Sequence, residues 1–169
     1  RYNSIAIGTD GLPVISYSNV TDLDLMVAKC GNTSCTSGNV TTTIDTAGDR
    51  GRYNSIAIGT DGLPVISYYN LANGDLMVAK CGNTSCSAGN TLTTVDGVSD
   101  RGQYTSIAIG TDGLPMISYY NVSNGDLMVA KCGITSCSAG NITTTTIDSD
   151  GNRGQYTSIA IGTDGLPVI

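Results

Sequence analysis

The chain is 169 residues long and carries 8 Lys and Arg against 14 acidic residues, for a formal net charge of −6. An acidic surface without basic clusters excludes nucleic acid and anionic membranes as partners, because phosphate binding needs Lys and Arg. No apolar run approaches the roughly 20 residues of a membrane span, so membrane insertion is not expected. Few charges, many Gly, Thr, Ser and Asn, and Tyr as the sole aromatic residue are typical of an extracellular β-protein.

One ten-residue phrase, Ser-Ile-Ala-Ile-Gly-Thr-Asp-Gly-Leu-Pro, occurs four times, at intervals of 51, 51 and 52 residues. A fixed period near 50 predicts small units that bury their apolar faces against one another. We interpret the chain as part of a longer array, because neither end resembles a capping repeat; a trimmed or designed chain is the alternative. The repeats are 1–52 (repeat 1), 53–103 (repeat 2), 104–155 (repeat 3) and 156–169 (a partial repeat 4).

Repeat 2 predicts four short antiparallel strands and no helix, because its apolar period is two and Gly or Pro recur about every 8–12 residues. Asp61-Gly62 predicts a hairpin turn with positive φ angles, and Asn73-Gly74 predicts a second hairpin turn. A polar connection leads from the last strand to the next repeat. The expected strands are 55–58, 63–69, 75–81 and 91–95.

Differences among the repeats predict where the structure tolerates change. Leu23 stands where repeats 2 and 3 have Gly, and since Leu does not readily adopt positive φ, we expect that turn to be remodelled. Repeat 3 has one additional residue in its threonine-rich strand, at 141–148. Without a bulge to absorb it, this insertion would move every later side chain of the strand to the opposite face of the sheet. We therefore expect the fourth strand at the outer edge of each sheet, where bulges are tolerated.

Each complete repeat contains one Cys-x4-Cys pair. An even number of cysteines tied to the repeat predicts one disulfide per repeat, and hence an oxidising compartment outside the cytoplasm. Zinc binding is the alternative, although a zinc site usually needs two such pairs or added His within one unit. The predicted disulfides are Cys30–Cys35, Cys81–Cys86 and Cys132–Cys137.

Four antiparallel strands in about 51 residues, joined by two tight turns and a longer loop, resemble a β-propeller blade. Ser-Ile-Ala-Ile-Gly-x-Asp-Gly-Leu-Pro-x-Ile-Ser-Tyr-Tyr followed by Gly-Asp-Leu-x-Val-Ala-Lys-Cys resembles the tandem blade repeats of large secreted bacterial proteins, whose function is generally unassigned. The resemblance covers the whole chain and implies an all-β fold of tandem four-stranded antiparallel sheets. The Trp-Asp pair of WD40 blades and the Ser-x-Asp-x-Gly-x-Thr-Trp box of sialidases are absent from the sequence.

The number of repeats bears on how the sheets are arranged. A little over three repeats are too few to close a propeller ring, which takes roughly four to eight blades. Either further blades complete a ring or the repeats stack in an open superhelical array. Near-identical units place the same interface at every junction, and a repeated contact that does not close produces a filament. We therefore favour the open array.

Residue types that support catalysis are scarce. Without His there is no Ser-His or Cys-His pair, and without Glu acid–base chemistry would rest on Asp alone. Most Asp residues occupy turns, where local hydrogen bonding explains them. Residues 148–154 resemble the start of a calcium loop, but the other connections lose that spacing and none has the closing Glu. We expect no enzyme activity, no cofactor and no metal site, and we expect Arg50, Arg101 and Arg153 to pair with a nearby Asp or carbonyl.

Six Asn-x-Ser/Thr triplets and two threonine runs indicate attached glycans, either N-linked or O-linked. A chain rich in Asn, Ser and Thr also produces such triplets by chance. The candidate positions are Asn19, Asn32, Asn39, Asn83, Asn121 and Asn141, together with Thr41, Thr42, Thr43, Thr143, Thr144, Thr145 and Thr146.

The sequence favours a secreted, non-enzymatic structural repeat protein that forms an extracellular fibre, sheath or adhesin stalk at the cell surface. Its expected partners are copies of itself through repeat–repeat contacts, together with covalent or bound glycans. The alternative is a closed β-propeller that binds carbohydrate or protein through tyrosines, although packing of those tyrosines between blades is the simpler interpretation. An enzyme whose catalytic residues lie in another domain is a third class. The tyrosines in question are Tyr17, Tyr68, Tyr69, Tyr119 and Tyr120.

Overall fold

The computed structural model describes residues 1–138 and 141–169, in which the regular structure is entirely β. Twelve strands form three four-stranded antiparallel sheets in chain order, and two short strands form a final hairpin. This confirms the predicted open array of tandem sheets. The strands are β1 (Asn3–Ile7), β2 (Pro13–Asn19), β3 (Asp24–Lys29), β4 (Val40–Asp45), β5 (Arg52–Ile58), β6 (Pro64–Asn70), β7 (Asp75–Lys80), β8 (Thr91–Asp96), β9 (Arg101–Ile109), β10 (Pro115–Asn121), β11 (Asp126–Cys132), β12 (Ile142–Asp148), β13 (Ala160–Ile161) and β14 (Pro167–Val168).

Each sheet is a meander in which consecutive strands pair, so that the first sheet is β1–β4, the second β5–β8 and the third β9–β12. Every second side chain of a strand lies on the same face of its sheet. Ile56 and Ile66 are paired across β5 and β6, and their side chains therefore share one face. The strand β5 begins at Arg52 and β9 at Arg101, earlier than the first strands expected from sequence. Each of them continues through an irregularity in its pairing with the second strand.

The hairpin turns have positive φ at the predicted glycines, and the first sheet has Leu23 at one of these positions. Gly62 has φ of +78°, and its N–H donates to the carbonyl of Gly59 at 2.9 Å, whereas Asp61 does not have positive φ. The expected remodelling of the turn at Leu23 is wrong, because Leu23 itself adopts φ of +64°. Pairing of Asn19 with Asp24 fixes the length of this turn. The backbone therefore keeps the geometry of a glycine turn, at a cost of about 1–2 kcal/mol for a residue with a Cβ.

Replacing Leu23 with Gly is expected to raise the free energy of unfolding by about 1 kcal/mol, because it relieves the left-handed backbone strain. Leu71 provides a matched control, since both side chains are 41% exposed but Leu71 does not have positive φ. Leu71→Gly should instead destabilise the chain. Urea unfolding of both variants tests this, and equal losses of stability would contradict the proposed strain at Leu23.

The fourth strand lies at the edge of every sheet, as predicted. The additional residue of repeat 3 is not absorbed by a bulge peculiar to that repeat. Instead it extends the start of β12, so that Ile142 pairs with Cys132 ahead of the residue pairs that all three sheets share. A shift in pairing at the far end of this strand occurs in every sheet, between Leu25 and Met26 in the first one. The bulge is thus a property of the repeat.

The hydrophobic cores lie between sheets, and each sheet contributes two different faces. One core joins the first and second sheets, and the other joins the second and third. We call the two sides of a sheet its valine face and its isoleucine face, and at both junctions the valine face of one sheet packs against the isoleucine face of the next. In the second sheet the valine face comprises Val65, Leu76, Val78 and Val95, and the isoleucine face comprises Ile56, Ile66, Tyr68, Met77 and Ala79.

All three predicted disulfides form, with Cα atoms 4.9, 4.8 and 5.0 Å apart. Each closes a short loop between the third and fourth strands of its sheet. Cys86 belongs to the core between the first and second sheets, and Cys137 belongs to the next core. Disulfides of this kind fit an oxidising environment. Within the described residues, we find no helix with the length and apolar character needed to cross a membrane.

The three disulfides should differ in their susceptibility to reduction, because their burial differs. Cys35 is half-buried, whereas Cys86 and Cys137 are 0% exposed. We expect a mild thiol reductant to open Cys30–Cys35 first in the folded chain, since thiol exchange requires access to the sulfur. Alkylation of the freed thiols followed by tryptic digestion identifies the disulfide that has opened, because each Cys pair falls in its own peptide. In denaturant the preference should vanish, and its persistence there would refute the role of burial.

Candidate functional site: a tyrosine ladder

Four tyrosines from successive repeats form a continuous row near the start of the first strand of each repeat, and we call this row the tyrosine ladder. Neighbouring ring centroids are 4.5, 4.5 and 4.3 Å apart, with interplanar angles of 50°, 52° and 46°. Since packed sheets lie about 10 Å apart, this spacing requires the side chains to converge on a common line. The ladder consists of Tyr2, Tyr53, Tyr104 and Tyr156.

An unusual backbone conformation directs each ring into the ladder. All four tyrosines have positive φ, between +48° and +56°. The pairing of β5 with β6 is irregular between Arg52 and Ser55, on either side of Tyr53, so this ring projects from a bulge. Bulges redirect side chains. A residue other than Gly in this region costs about 1–2 kcal/mol, and such strain persists only where the surrounding structure imposes it.

The ladder lines a shallow groove of about 300 Å³. Tyr2 is 37% exposed and Tyr156 is 78% exposed, whereas the two central rings are half-buried. Burial, together with interaction with the neighbouring hydroxyls, raises the pKa of Tyr53 above its ordinary value. Interaction with the Tyr156 hydroxyl, followed by burial, raises the pKa of Tyr104. The central phenols therefore stay protonated at neutral pH. The groove is completed by Asn3, Asn54, Thr105 and Thr157.

Interpretation of the sequence missed the ladder, although a signal for it was present. A tyrosine stands two residues before each copy of the repeated phrase, as Tyr53 stands before Ser55. Recurrence alone does not tell which equivalent side chains touch, because that depends on how each sheet is rotated relative to the previous one.

The tyrosines considered as ligand contacts lie elsewhere. Tyr68 and Tyr119 are 0% exposed, and each hydroxyl donates at 2.7 Å to an Asp of the preceding sheet, Asp45 or Asp96. Tyr17 is half-buried. Tyr69 and Tyr120 are 2% and 6% exposed, and they donate to Asp100 and Asn152. Burial at the junctions leaves Tyr68, Tyr69, Tyr119 and Tyr120 unavailable to a ligand in the folded chain.

The three recurring arginines pair as expected, and two of them, Arg50 and Arg101, lie next to the buried carboxylates of Asp45 and Asp96. Arg101 donates from Nη1 to Asp96 at 3.1 Å. Arg50 Nε lies 3.6 Å from Asp45 and donates to a backbone carbonyl. Arg153 donates to the carbonyl of Asp150 at 2.7 Å. Each connection is thereby fixed to the end of the fourth strand.

The aspartates of the Asp-Gly turns are used structurally. Asp10 accepts hydrogen bonds from the Leu12 N–H at 3.1 Å and from Lys29 Nζ at 2.7 Å. The Lys29 ammonium holds the pKa of Asp10 below its ordinary value. Equivalent ion pairs occur in the next two sheets. Among the residues that the structure describes, no group of three or more His, Cys, Asp or Glu side chains is placed to hold a metal ion.

The glycosylation candidates differ in accessibility. Asn121 is 0% exposed and donates to Asp126, so attachment of a glycan there is incompatible with the folded sheet, and this candidate is corrected. Asn39 and Asn141 are exposed. Half-buried positions are Asn19, Asn32, Asn83 and Thr42, and exposed positions are Thr41, Thr43 and Thr143 to Thr146.

Comparison with known proteins informs the fold alone. No protein-family model matches this chain, and no curated protein matches it. Among solved structures, the chain is similar to a protein from Dyadobacter fermentans DSM 18053 described as being of unknown function. The TM-score is 0.68 at 10% sequence identity, and the match covers 92% of this chain and 44% of the other. The chain thus spans less than half the length of this neighbour and shares its fold.

Proposed function

We propose that the chain is part of a secreted, non-enzymatic structural protein whose tandem sheets form an extracellular fibre, sheath or adhesin stalk. The observation that carries the proposal is a junction built repeatedly with the same contacts. At successive junctions a Ser hydroxyl of one first strand accepts the N–H of an Ile in the next, at 3.3, 3.2 and 3.2 Å. The pairs are Ser4 with Ile56, Ser55 with Ile107, and Ser106 with Ile159.

This junction is heterologous, because a valine face meets an isoleucine face. A heterologous contact adds units in one direction and extends without limit unless rotation closes a ring. The outer faces of this chain retain the apolar residues that interior junctions bury. Ile5 is 60% exposed, whereas its equivalent Ile56 is 6% exposed; Ile147 is 52% exposed, whereas its equivalent Val95 is 8% exposed. These faces are suited to further repeats or to copies of the same chain.

Secretion and the lack of enzyme activity belong to the same proposal. The disulfides support an oxidising destination. Turn and junction aspartates such as Asp61 and Asp96 are paired with a lysine, an arginine or a buried tyrosine, which favours a structural use of the carboxylates. The resemblance to blade repeats of large secreted bacterial proteins points in the same direction.

Chains that carry increasing numbers of repeat 2 provide the test. We expect the maximum dimension measured by small-angle X-ray scattering to rise in proportion to the number of repeats, because each junction adds the same displacement. A plateau, with discrete rings in negative-stain images, would refute the fibre and establish the closed propeller. Circular dichroism should show the same strand signal per residue throughout the series, which confirms that each added repeat is folded.

We propose glycan attachment at the exposed edge of the sheets, at Asn39, Asn141 and the exposed threonines of β4 and β12. Support comes from their accessibility and from the hydroxyl-rich composition of this edge. The intact mass of native material should exceed the polypeptide mass, and proteolysis should place the excess on these strands. A mass equal to that of the bare chain would eliminate the proposal.

A further inference from the structure

We propose that the tyrosine ladder is a site of oxidative cross-linking, at which tyrosines of neighbouring repeats couple to form dityrosine. The inference is independent of the fibre proposal, because it concerns bonds between repeats of one chain. Coupling joins one carbon of each ring, the carbon ortho to the hydroxyl group, so the rings must approach closely before they react. The Tyr2–Tyr53, Tyr53–Tyr104 and Tyr104–Tyr156 centroid distances of 4.5, 4.5 and 4.3 Å satisfy this condition.

The tilt of the rings also matters. Interplanar angles near 50° show that neighbouring rings are inclined to each other and are not stacked face to face, and the ring edges carry the carbons that couple. Rings this close leave no space for a sugar or an aromatic ligand to stack between them. Oxidative coupling therefore uses the geometry of the ladder better than ligand stacking does.

The composition of the chain leaves tyrosine as the main target of one-electron oxidation. There is no Trp, and all six cysteines are held in disulfides, so the easily oxidised indole and free thiol groups are absent. Within the ladder, Tyr156 is 78% exposed and gives a small oxidant a point of entry. Tyr53 and Tyr104 are half-buried and line the same groove as Tyr156.

The reaction balances with a peroxide as the oxidant. A haem peroxidase with hydrogen peroxide removes one electron and one proton from each of two phenols, and the peroxide is reduced to two molecules of water. The two phenoxyl radicals form a carbon–carbon bond between their ortho positions. The displaced ring protons return to the oxygens, and both phenols are regenerated. The net loss is two hydrogen atoms for each link.

The strained backbone supports a dedicated role for these positions. Positive φ occurs at Tyr2, Tyr53, Tyr104 and Tyr156, one in each repeat. A glycine would relieve the strain at each position but would remove the ring. Retention of strained tyrosines at four equivalent positions is expected where the row of phenols itself has a use.

The test treats the whole chain with a haem peroxidase and limiting hydrogen peroxide, then isolates the monomer by gel filtration. We expect dityrosine fluorescence and a mass loss of two hydrogens per link in the monomer. The four ladder tyrosines fall in four different tryptic peptides, because trypsin cuts after Arg1, Lys29, Arg50, Arg52, Lys80, Arg101, Lys131 and Arg153. Links between these peptides, located by fragmentation at the ladder positions, would support the proposal.

A double variant provides the decisive comparison. Tyr53→Phe with Tyr104→Phe keeps the row of rings but removes both central phenols, and we expect intramolecular dityrosine to be lost. Tyr17→Phe removes a half-buried phenol outside the ladder and should leave the yield unchanged. The proposal is overturned if the double variant still forms the link, if the links join Tyr53 to Tyr69 within one peptide, or if dityrosine occurs only between separate chains.

Discussion

Replacing Gly102 with Ala is expected to destabilise the chain by roughly 2–5 kcal/mol, through backbone strain combined with overpacking. Gly102 has φ of +105°, where any residue with a Cβ is strained. A Cβ at this position would lie 2.6 Å from the Cα of Leu76 and 2.8 Å from its Cβ, so backbone must move to accept it. The start of β9 passes directly over the start of β7, and only Gly permits that approach.

Gly11→Ala is the matched control. Gly11 has φ of +75°, but nothing lies within 4 Å of the Cβ that Ala would add. We therefore expect the free energy of unfolding to fall only by the cost of the left-handed backbone, about 1–2 kcal/mol. Urea unfolding followed by circular dichroism measures both variants against the parent chain. Similar losses for the two variants would mean that the start of β9 does not press on Leu76, which would contradict the geometry of this junction.

The features that sequence predicts well are those that local patterns determine. Cys81 and Cys86 are five residues apart, and the short loop between them is closed by its own disulfide. Strand pairing follows from the apolar period of two and from glycine turns such as the one at Gly62. The edge position of β12 follows from its tolerance of an additional residue. None of these features depends on how one sheet is oriented relative to another.

Features that depend on distant contacts escape local patterns. The positive φ of Leu23 is imposed by the pairing of Asn19 with Asp24, so the propensity of Leu is overridden by the register of two strands. The ladder contact between Tyr53 and Tyr104 spans a whole repeat, and it exists because a bulge turns each ring towards the same line. The burial of Asn121 likewise results from neighbouring strands and not from its triplet.

Asp96→Ala is expected to cost roughly 3–5 kcal/mol, because it removes one partner from a buried polar cluster. The Asp96 side chain is 4% exposed. It accepts the Tyr119 hydroxyl at 2.7 Å and Arg101 Nη1 at 3.1 Å. Without the carboxylate, a buried phenol and a largely buried guanidinium lose their acceptor together. The Arg101 side chain remains 20% exposed, so water relieves part of the penalty and the loss should lie near the lower end.

Asp148 is the equivalent residue in the third sheet and gives a control of matched chemistry. Its side chain is 46% exposed, and its oxygen lies 3.9 Å from Arg153 Nε. An exposed pair of this kind contributes about 0–1 kcal/mol, so Asp148→Ala should have little effect on urea unfolding.

A second comparison isolates the hydrogen bond between Asp96 and Tyr119. Tyr119→Phe alone should cost about 1–2 kcal/mol, and the double variant with Asp96→Ala should lose less than the sum, because the two groups share one hydrogen bond. Strict additivity would show that Asp96 acts through Arg101, the first residue of β9, and that its hydrogen bond with Tyr119 adds nothing to the contact between the second sheet and the third.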